Sequence, residues 1–134
     1  MHWTEAEYEA YLLRQGRPPA VPDAAPESAL LAAVRRVATA HGYLPYHTHD
    51  SRKSARGFPD VCLVRVATPT RVGRLIFAEL KSHQGKLTQE QALWLDLLRH
   101  SVPGIEAYCW RPSDMPEVVH LLARKERPDA PEPA

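Results

Sequence analysis

The chain has 134 residues, of which 44% are hydrophobic and 25% are charged, an ordinary composition for one globular domain with a real core. Its formal net charge of +1 decides little, except that a positive field for nucleic acid would have to be local. The sequence has no apolar run close to the roughly 20 residues of a membrane helix, and its N-terminus lacks the apolar core of a signal peptide.

The first predicted elements are two helices separated by a proline-rich segment. Thr4 and Glu7 form a capping-box pattern that opens a short helix, and Gly16 ends it. Residues 17–26 hold four prolines and predict a linker or an extended arm. Apolar residues at helical spacing then predict a helix over about residues 27–41, with Gly42 at its C-terminus.

Strands dominate the middle of the chain. The order of elements predicts an α/β fold, with a mixed β-sheet flanked by helices. Leu93, Leu97 and Leu98 are predicted to form the apolar face of the helix that follows Thr88. The predicted ranges are strands at 43–48, 61–66, 75–81 and 105–110, and helices at 88–100 and 115–124. We expect the domain to cover 27–124, with an N-terminal helix and arm at 1–26 and a disordered tail at 125–134.

Two cysteines are present, and both lie inside apolar, strand-like segments. Cys62 falls in the second predicted strand and Cys109 in the fourth. This placement predicts buried, reduced thiols, and hence a cytoplasmic protein.

Charged residues stand at the ends of two predicted strands. Asp60 opens one strand, and Glu79 lies near the end of the next with Lys81 two positions on. In an antiparallel pair the start of one strand lies beside the end of the other, so Asp60 and Glu79 would meet at one sheet edge. Lys81 would share the face of Glu79. Two such carboxylates repel unless a cation lies between them, and hard oxygen ligands suit Mg²⁺ or Mn²⁺. Lys81 could then position or help deprotonate a metal-bound water.

These residues stand in a recognisable arrangement. The sequence GFPD at 57–60 followed by ELK at 79–81 resembles the PD-(D/E)XK nuclease motif. Glu27, at the start of the preceding helix, and Gln91, early in the following one, match its flanking positions. The larger set resembles the VRR-NUC branch, found alone in phages and bacteria and fused in repair nucleases. The resemblance spans about residues 27–113, and the further residues that carry it are Gly85, Lys86, Thr88, Gln91 and Trp94.

The VRR-NUC resemblance implies a restriction-endonuclease-like core, αβββαβ, and a metal-dependent DNA endonuclease. Asp60 and Glu79 would bind Mg²⁺ or Mn²⁺, with Glu27 and the carbonyl of Leu80 as further ligands. Lys81 would orient the attacking water, and Gln91 would hold Lys81 or that water. The product expected from the resemblance is a 5′-phosphate.

DNA is the implied partner. Arg52, Lys53 and Arg56, in a basic loop before the strand that Asp60 opens, are predicted to contact phosphates together with Lys86. The resemblance also implies a homodimer that acts on branched or duplex DNA in replication, repair or recombination. The expected location is the cytoplasm of a bacterial or phage-infected cell, with no membrane association.

Other interpretations stay open at this point. The chain is alternatively a non-catalytic DNA-binding protein that keeps a nuclease-like fold. His47 and His49 resemble a transition-metal ligand pair, which would make the domain a zinc-stabilised module. Gln91 also fits the third position of a capping box opened by Thr88, and Glu27 also fits an acidic first turn stabilised by the helix dipole.

Overall fold

Four α-helices and four strands make up the part of the chain that the computed structural model describes, residues 2–47 and 56–128. The predicted α/β fold is confirmed, and no predicted element end differs from the observed one by more than one residue. A short 3-10 turn, Pro112–Asp114, precedes the last helix. The elements are α1 Glu5–Arg14, α2 Glu27–Ala40, β1 Tyr43–His47, β2 Val61–Arg65, β3 Arg74–Leu80, α3 Gln89–Ser101, β4 Ile105–Trp110 and α4 Met115–Ala123.

The sheet is mixed, with the strands in the order β1-β2-β3-β4. Both β1–β2 and β2–β3 are antiparallel pairs, whereas β3 and β4 run parallel. A parallel pair needs a crossover, and α3 supplies it. In the β2–β3 pair Val61 lies opposite Ala78, so the next residues outward, Asp60 and Glu79, are brought together.

The main core lies on one face of the sheet, against α2 and α4. Leu63 on β2 and Ile76 on β3 are fully buried there with Val34 and Leu122 from the two helices. Burial of side chains of this size contributes about 1.5–3 kcal/mol each. The opposite face carries Phe77, whose ring meets Phe58 edge-on.

Helix α3 packs with a face that the sequence analysis did not predict. Leu95 is 5% exposed, whereas Leu93 and Leu97 are 56% and 45% exposed, so the predicted apolar face was wrong for these two residues, while Leu98 is half-buried. Gln91 and Arg99 lie one turn before and one turn after Leu95, and both bond to the sheet: Gln91 to Glu79, and Arg99 to the carbonyl of Ala107. These hydrogen bonds hold the side of α3 that carries Leu95 against the sheet.

The N-terminal segment lies against the domain. Leu13 of α1 is buried in the main core, and Val21 of the proline-rich segment packs against it. Glu9 of α1 pairs with Arg36 of α2 at 2.7 Å. This corresponds to a helix that folds back onto its own domain, and the described part of the segment does not extend as a free arm.

Buried charges join the far end of the sheet to α4. Arg74 and Glu106 form a buried ion pair with an N–O distance of 2.7 Å. Arg65 donates to the carbonyls of Arg124 and Lys125, which follow α4. The chain is therefore bonded to the domain at Lys125, the first residue of the predicted tail, while residues 129–134 lie outside the described ranges.

Two smaller predictions concern the cysteines and membranes. Cys62 and Cys109 are free thiols, as predicted, but both are half-buried because they lie on the α3 side of the sheet, which α3 covers incompletely. No helix in the two described stretches is long and apolar enough to cross a bilayer.

Candidate active site

Two carboxylates meet where β2 begins and β3 ends. Asp60 Oδ2 accepts a hydrogen bond from the backbone N–H of Leu80 at 3.1 Å, which fixes the side chain beside Glu79. Glu79 is only 3% exposed although it lies near the end of its strand. The structure therefore brings together the pair that the sequence predicted.

Glu79 has one satisfied oxygen and one unsatisfied oxygen. Its Oε1 accepts a hydrogen bond from Gln91 Nε2 at 2.9 Å, whereas its Oε2 is buried with no hydrogen-bond partner in the described structure. Burial and, next, the charge of Asp60 raise the pKa of Glu79 to about 8, while the charge of Lys81 acts in the opposite direction. Two neighbouring carboxyl groups of this kind ionise together at neutral pH only when positive charge lies between them, so the pair and its free oxygen suit a divalent cation.

Gln91 has two functions at once. Its backbone N–H donates to Thr88 Oγ1 at 3.1 Å, and its Oε1 accepts from the Thr88 N–H at 2.9 Å, which completes the capping box of α3. The same amide then donates through Nε2 to Glu79. The capping interpretation of Gln91 therefore holds, and its side chain also contacts Glu79, while the predicted contact with Lys81 or the attacking water stays a prediction.

Lys81 directly follows β3. Its backbone N–H donates to the carbonyl of Trp110 at 3.0 Å and so continues the parallel pairing of β3 with β4. The side chain is half-buried, and its charge stabilises the ionised form of Glu79. A cation thus lies near the carboxylate pair, as predicted from the spacing of two residues along the strand.

The further predicted metal ligands stay predictions. Glu27 is exposed in the first turn of α2, and no group of three His, Cys, Asp or Glu residues within 2–47 and 56–128 is arranged to hold a metal ion. In the zinc interpretation, His47 is half-buried, but His49 lies outside the described residues.

The basic loop is described only at its end. Arg52 and Lys53 lie outside the described residues, while Arg56 is exposed and its carbonyl accepts a hydrogen bond from Trp94 Nε1 at 3.2 Å. Gly57 has a φ of 89°, and a Cβ placed on it would lie 2.5 Å from the backbone of Glu90. The loop end is therefore fixed against the start of α3. Lys86 is also exposed, on the segment between β3 and α3.

Sequence reasoning missed Arg111. It follows β4, and its Nη1 donates to the carbonyls of Ser82 at 2.7 Å and Gly85 at 2.5 Å, just beyond Lys81. The only available signal was positional: an arginine stands at the end of the strand that pairs with β3 in parallel.

Comparison with known proteins gives one finding that covers most of the chain. The VRR-NUC domain model matches residues 6–114, a range that contains Asp60, Glu79, Lys81 and Gln91 and begins inside α1, earlier than the sequence motifs indicated. Comparisons with curated proteins and with solved structures gave no match. VRR-NUC is a nuclease domain that acts generally on DNA, and the carboxylate pair lies within the matched range. The suspected family is confirmed: this chain belongs to the VRR-NUC domain family.

Proposed function

We propose that the protein is a metal-dependent DNA endonuclease whose Asp60 and Glu79 hold Mg²⁺ or Mn²⁺. The observation that carries this is the buried, unpartnered Oε2 of Glu79 beside the Asp60 carboxylate. Such a pair of oxygen ligands matches hard divalent cations. A cation bound there supplies positive charge for the phosphate oxygens on which negative charge develops.

The side chains around the pair have separate tasks in this proposal. Gln91 donates to Oε1 of Glu79, which leaves Oε2 directed at the cation site. Asp60 is held by the Leu80 N–H, so both carboxylates are fixed before substrate arrives. Lys81, on the same face of β3 as Glu79, orients the attacking water and offsets charge on the phosphate. Glu27 and the Leu80 carbonyl complete the ligand set, directly or through water.

DNA is the partner that the family assigns, and the finer choice of DNA structure is part of the proposal. Arg56 and Lys86 are exposed, four residues before Asp60 and five residues after Lys81 in the sequence, and would contact phosphates together with Arg52 and Lys53 from the same loop as Arg56. Contacts of this kind position the backbone without reading sequence, which suits an enzyme of replication, repair or recombination in the cytoplasm that selects branched DNA by shape.

We further propose a homodimer. One domain carries one carboxylate site, whereas cutting a duplex or a four-way junction takes two nicks on separate strands. A two-fold dimer would present two sites to a junction whose strands are themselves related by a two-fold axis. Trp3, Tyr8 and Tyr11 form an exposed aromatic cluster on the N-terminal segment, and such side chains are enriched in interfaces.

Cleavage of labelled DNA tests the proposed activity. We expect duplex, flap and four-way-junction substrates to be cut with Mg²⁺ or Mn²⁺ and to stay intact with chelator, and the junction to be cut fastest. Asp60→Asn should abolish cleavage, whereas the matched change Asp96→Asn, on the exposed side of α3, should not. Metal-independent cleavage, or an active Asp60→Asn variant that is free of contaminating nuclease, would refute the site. DNA binding without cleavage under all conditions would favour the non-catalytic interpretation.

A further inference from the structure

One guanidinium group joins both ends of the turn that follows Lys81. The Arg111 Nη1 donates to the carbonyls of Ser82 and Gly85, at 2.7 Å and 2.5 Å. The turn is also closed internally, because the N–H of Gly85 donates to the Ser82 carbonyl at 3.2 Å and to Ser82 Oγ at 3.1 Å. Hydrogen bonds from a charged donor are about twice as strong as neutral ones, so Arg111 contributes much of the rigidity of this turn.

The turn lies directly against the side chain of Lys81. A Cβ placed on Gly85 would be 3.4 Å from Cδ of Lys81 and 2.9 Å from Ser82 Oγ. The 3.4 Å distance is an ordinary van der Waals separation, so Gly85 lies beside the lysine stem, whereas the 2.9 Å approach to Ser82 Oγ shows that the turn itself is tight at Gly85. On the backbone side, the Lys81 N–H is bonded to the carbonyl of Trp110, the residue before Arg111. Lys81 is thus held at its backbone by Trp110 and along its stem by a turn that Arg111 fixes.

Arg111 is itself fixed. Its backbone N–H donates to Asp114 Oδ2 at 2.8 Å, and its carbonyl accepts from the Asp114 N–H at 2.9 Å. The arginine is half-buried between β4 and the 3-10 turn. An anchored donor of this kind restricts the turn 82–85 to one position relative to β4.

We propose that Arg111 is a positioning residue. Its hydrogen bonds to the carbonyls of Ser82 and Gly85 fix the turn 82–85, and the turn sets where the Lys81 ammonium lies relative to the carboxylate pair. The inference rests on the proposed function, in which Lys81 orients the attacking water. A displacement of about 1 Å in a catalytic group can cost about 100-fold in rate. Arg111 therefore affects turnover through Lys81, without touching substrate.

Kinetics of Arg111→Met test this role, with Arg35→Met on the exposed side of α2 as the matched control. We expect kcat to fall about 10- to 100-fold with KM for DNA nearly unchanged, because substrate contacts are retained. In a Lys81→Ala background the Arg111 change should cost nothing further, since its effect passes through Lys81. An equal loss in both backgrounds, or a rise in KM with unchanged kcat, would overturn the proposal.

A readout independent of activity separates this inference from the proposed function. Lysines dimethylated with ¹³C-formaldehyde give methyl resonances, and the Lys81 signal is assigned by its loss in Lys81→Ala. In protein without metal or DNA, that signal should shift in Arg111→Met and stay in place in Arg35→Met. An unchanged Lys81 signal would refute the positioning role even in an active enzyme, whereas a shifted signal in a protein that never cleaves DNA would refute only the proposed function.

Where Arg111→Met does not fold, Arg111→Lys keeps the charge but shortens the reach to the two carbonyls, and the same comparisons apply.

Discussion

Glu79 should destabilise the metal-free protein while serving as a ligand when metal is present. Its carboxylate is buried, repelled by Asp60 and satisfied at only one oxygen. The substitution Glu79→Gln keeps the shape, and its remaining oxygen can still accept the bond from Gln91. The new amide nitrogen can also donate to Asp60. We therefore expect Glu79→Gln to be inactive but more stable than the wild type in the presence of chelator.

The size of the gain follows from the pKa of Glu79, which is about 8 against an ordinary value of 4.5. At about 1.36 kcal/mol for each pKa unit, ionising this group in the folded protein costs up to about 5 kcal/mol. Water at the sheet edge screens part of this cost, so we expect a gain of about 2 kcal/mol. The folded pKa is raised, so the unfolded state releases its proton first. The cost is therefore absent below the ordinary pKa, grows as the pH rises towards about 8, and is constant above it.

Urea unfolding in chelator at about pH 5 and about pH 8.5 measures this difference. The advantage of Glu79→Gln should be small at the lower pH and near its maximum at the higher pH. The control Glu117→Gln, on an exposed helix position, should show neither change. Added Mg²⁺ should stabilise the wild type, by about 2.7 kcal/mol at a hundred times its Kd, and should stabilise Glu79→Gln much less. A Glu79→Gln variant no more stable than wild type at the higher pH would refute the claim that the ionised Glu79 destabilises the metal-free protein.

Two further predictions concern the close contact of Gly57 with α3 and the titration of the buried His41 imidazole. Gly57→Ala should lower the free energy of unfolding by about 2–3 kcal/mol, because a positive φ and a Cβ 2.5 Å from the Glu90 backbone both oppose it. Gly16→Ala, with a φ of 82° but its nearest atom 4.0 Å away, should cost only about 1 kcal/mol; equal losses in thermal or urea unfolding would contradict the close contact. Burial lowers the pKa of His41, so the unfolded state is protonated first as the pH falls. Stability should therefore be lost as the pH falls below the ordinary value of 6.5, and the stability difference between wild type and His41→Gln should change between about pH 7.5 and about pH 5.5. A constant difference would exclude protonation of His41 as the cause of the loss.

The carboxylate pair could be predicted from the sequence because it follows from strand geometry alone. Apolar runs identify β2 and β3, and an antiparallel pairing brings the start of one beside the end of the other. Asp60 and Glu79 stand at those two positions, so no knowledge of packing is needed to place them together. The capping box of Thr88 and Gln91 was equally local, since its partners are three residues apart.

Features that depend on tertiary contacts could not be predicted in the same way. The buried face of α3 was misjudged because an apolar pattern gives no weight to Gln91 and Arg99, which bond to the sheet. The partners of Arg111 are backbone carbonyls 26 and 29 residues away. Every residue has such a carbonyl, so the sequence does not show which of them a side chain will bond. Leu13 likewise reaches the core only because α1 folds back onto α2.

The site and the fold share their supports, which explains why a small domain can hold a buried carboxylate at a sheet edge. Gln91 closes the first turn of α3 and holds Glu79 with the same amide, so uncapping the helix would also release the carboxylate. Asp60 is held by the N–H of Leu80, the last residue of β3. These two contacts, one at the start of α3 and one at the end of β3, therefore also orient the two carboxyl groups of the site. A change at one of these side chains should therefore affect both stability and the site, and the cost of the buried charge is confined to Glu79 Oε2, where the proposed metal would offset it.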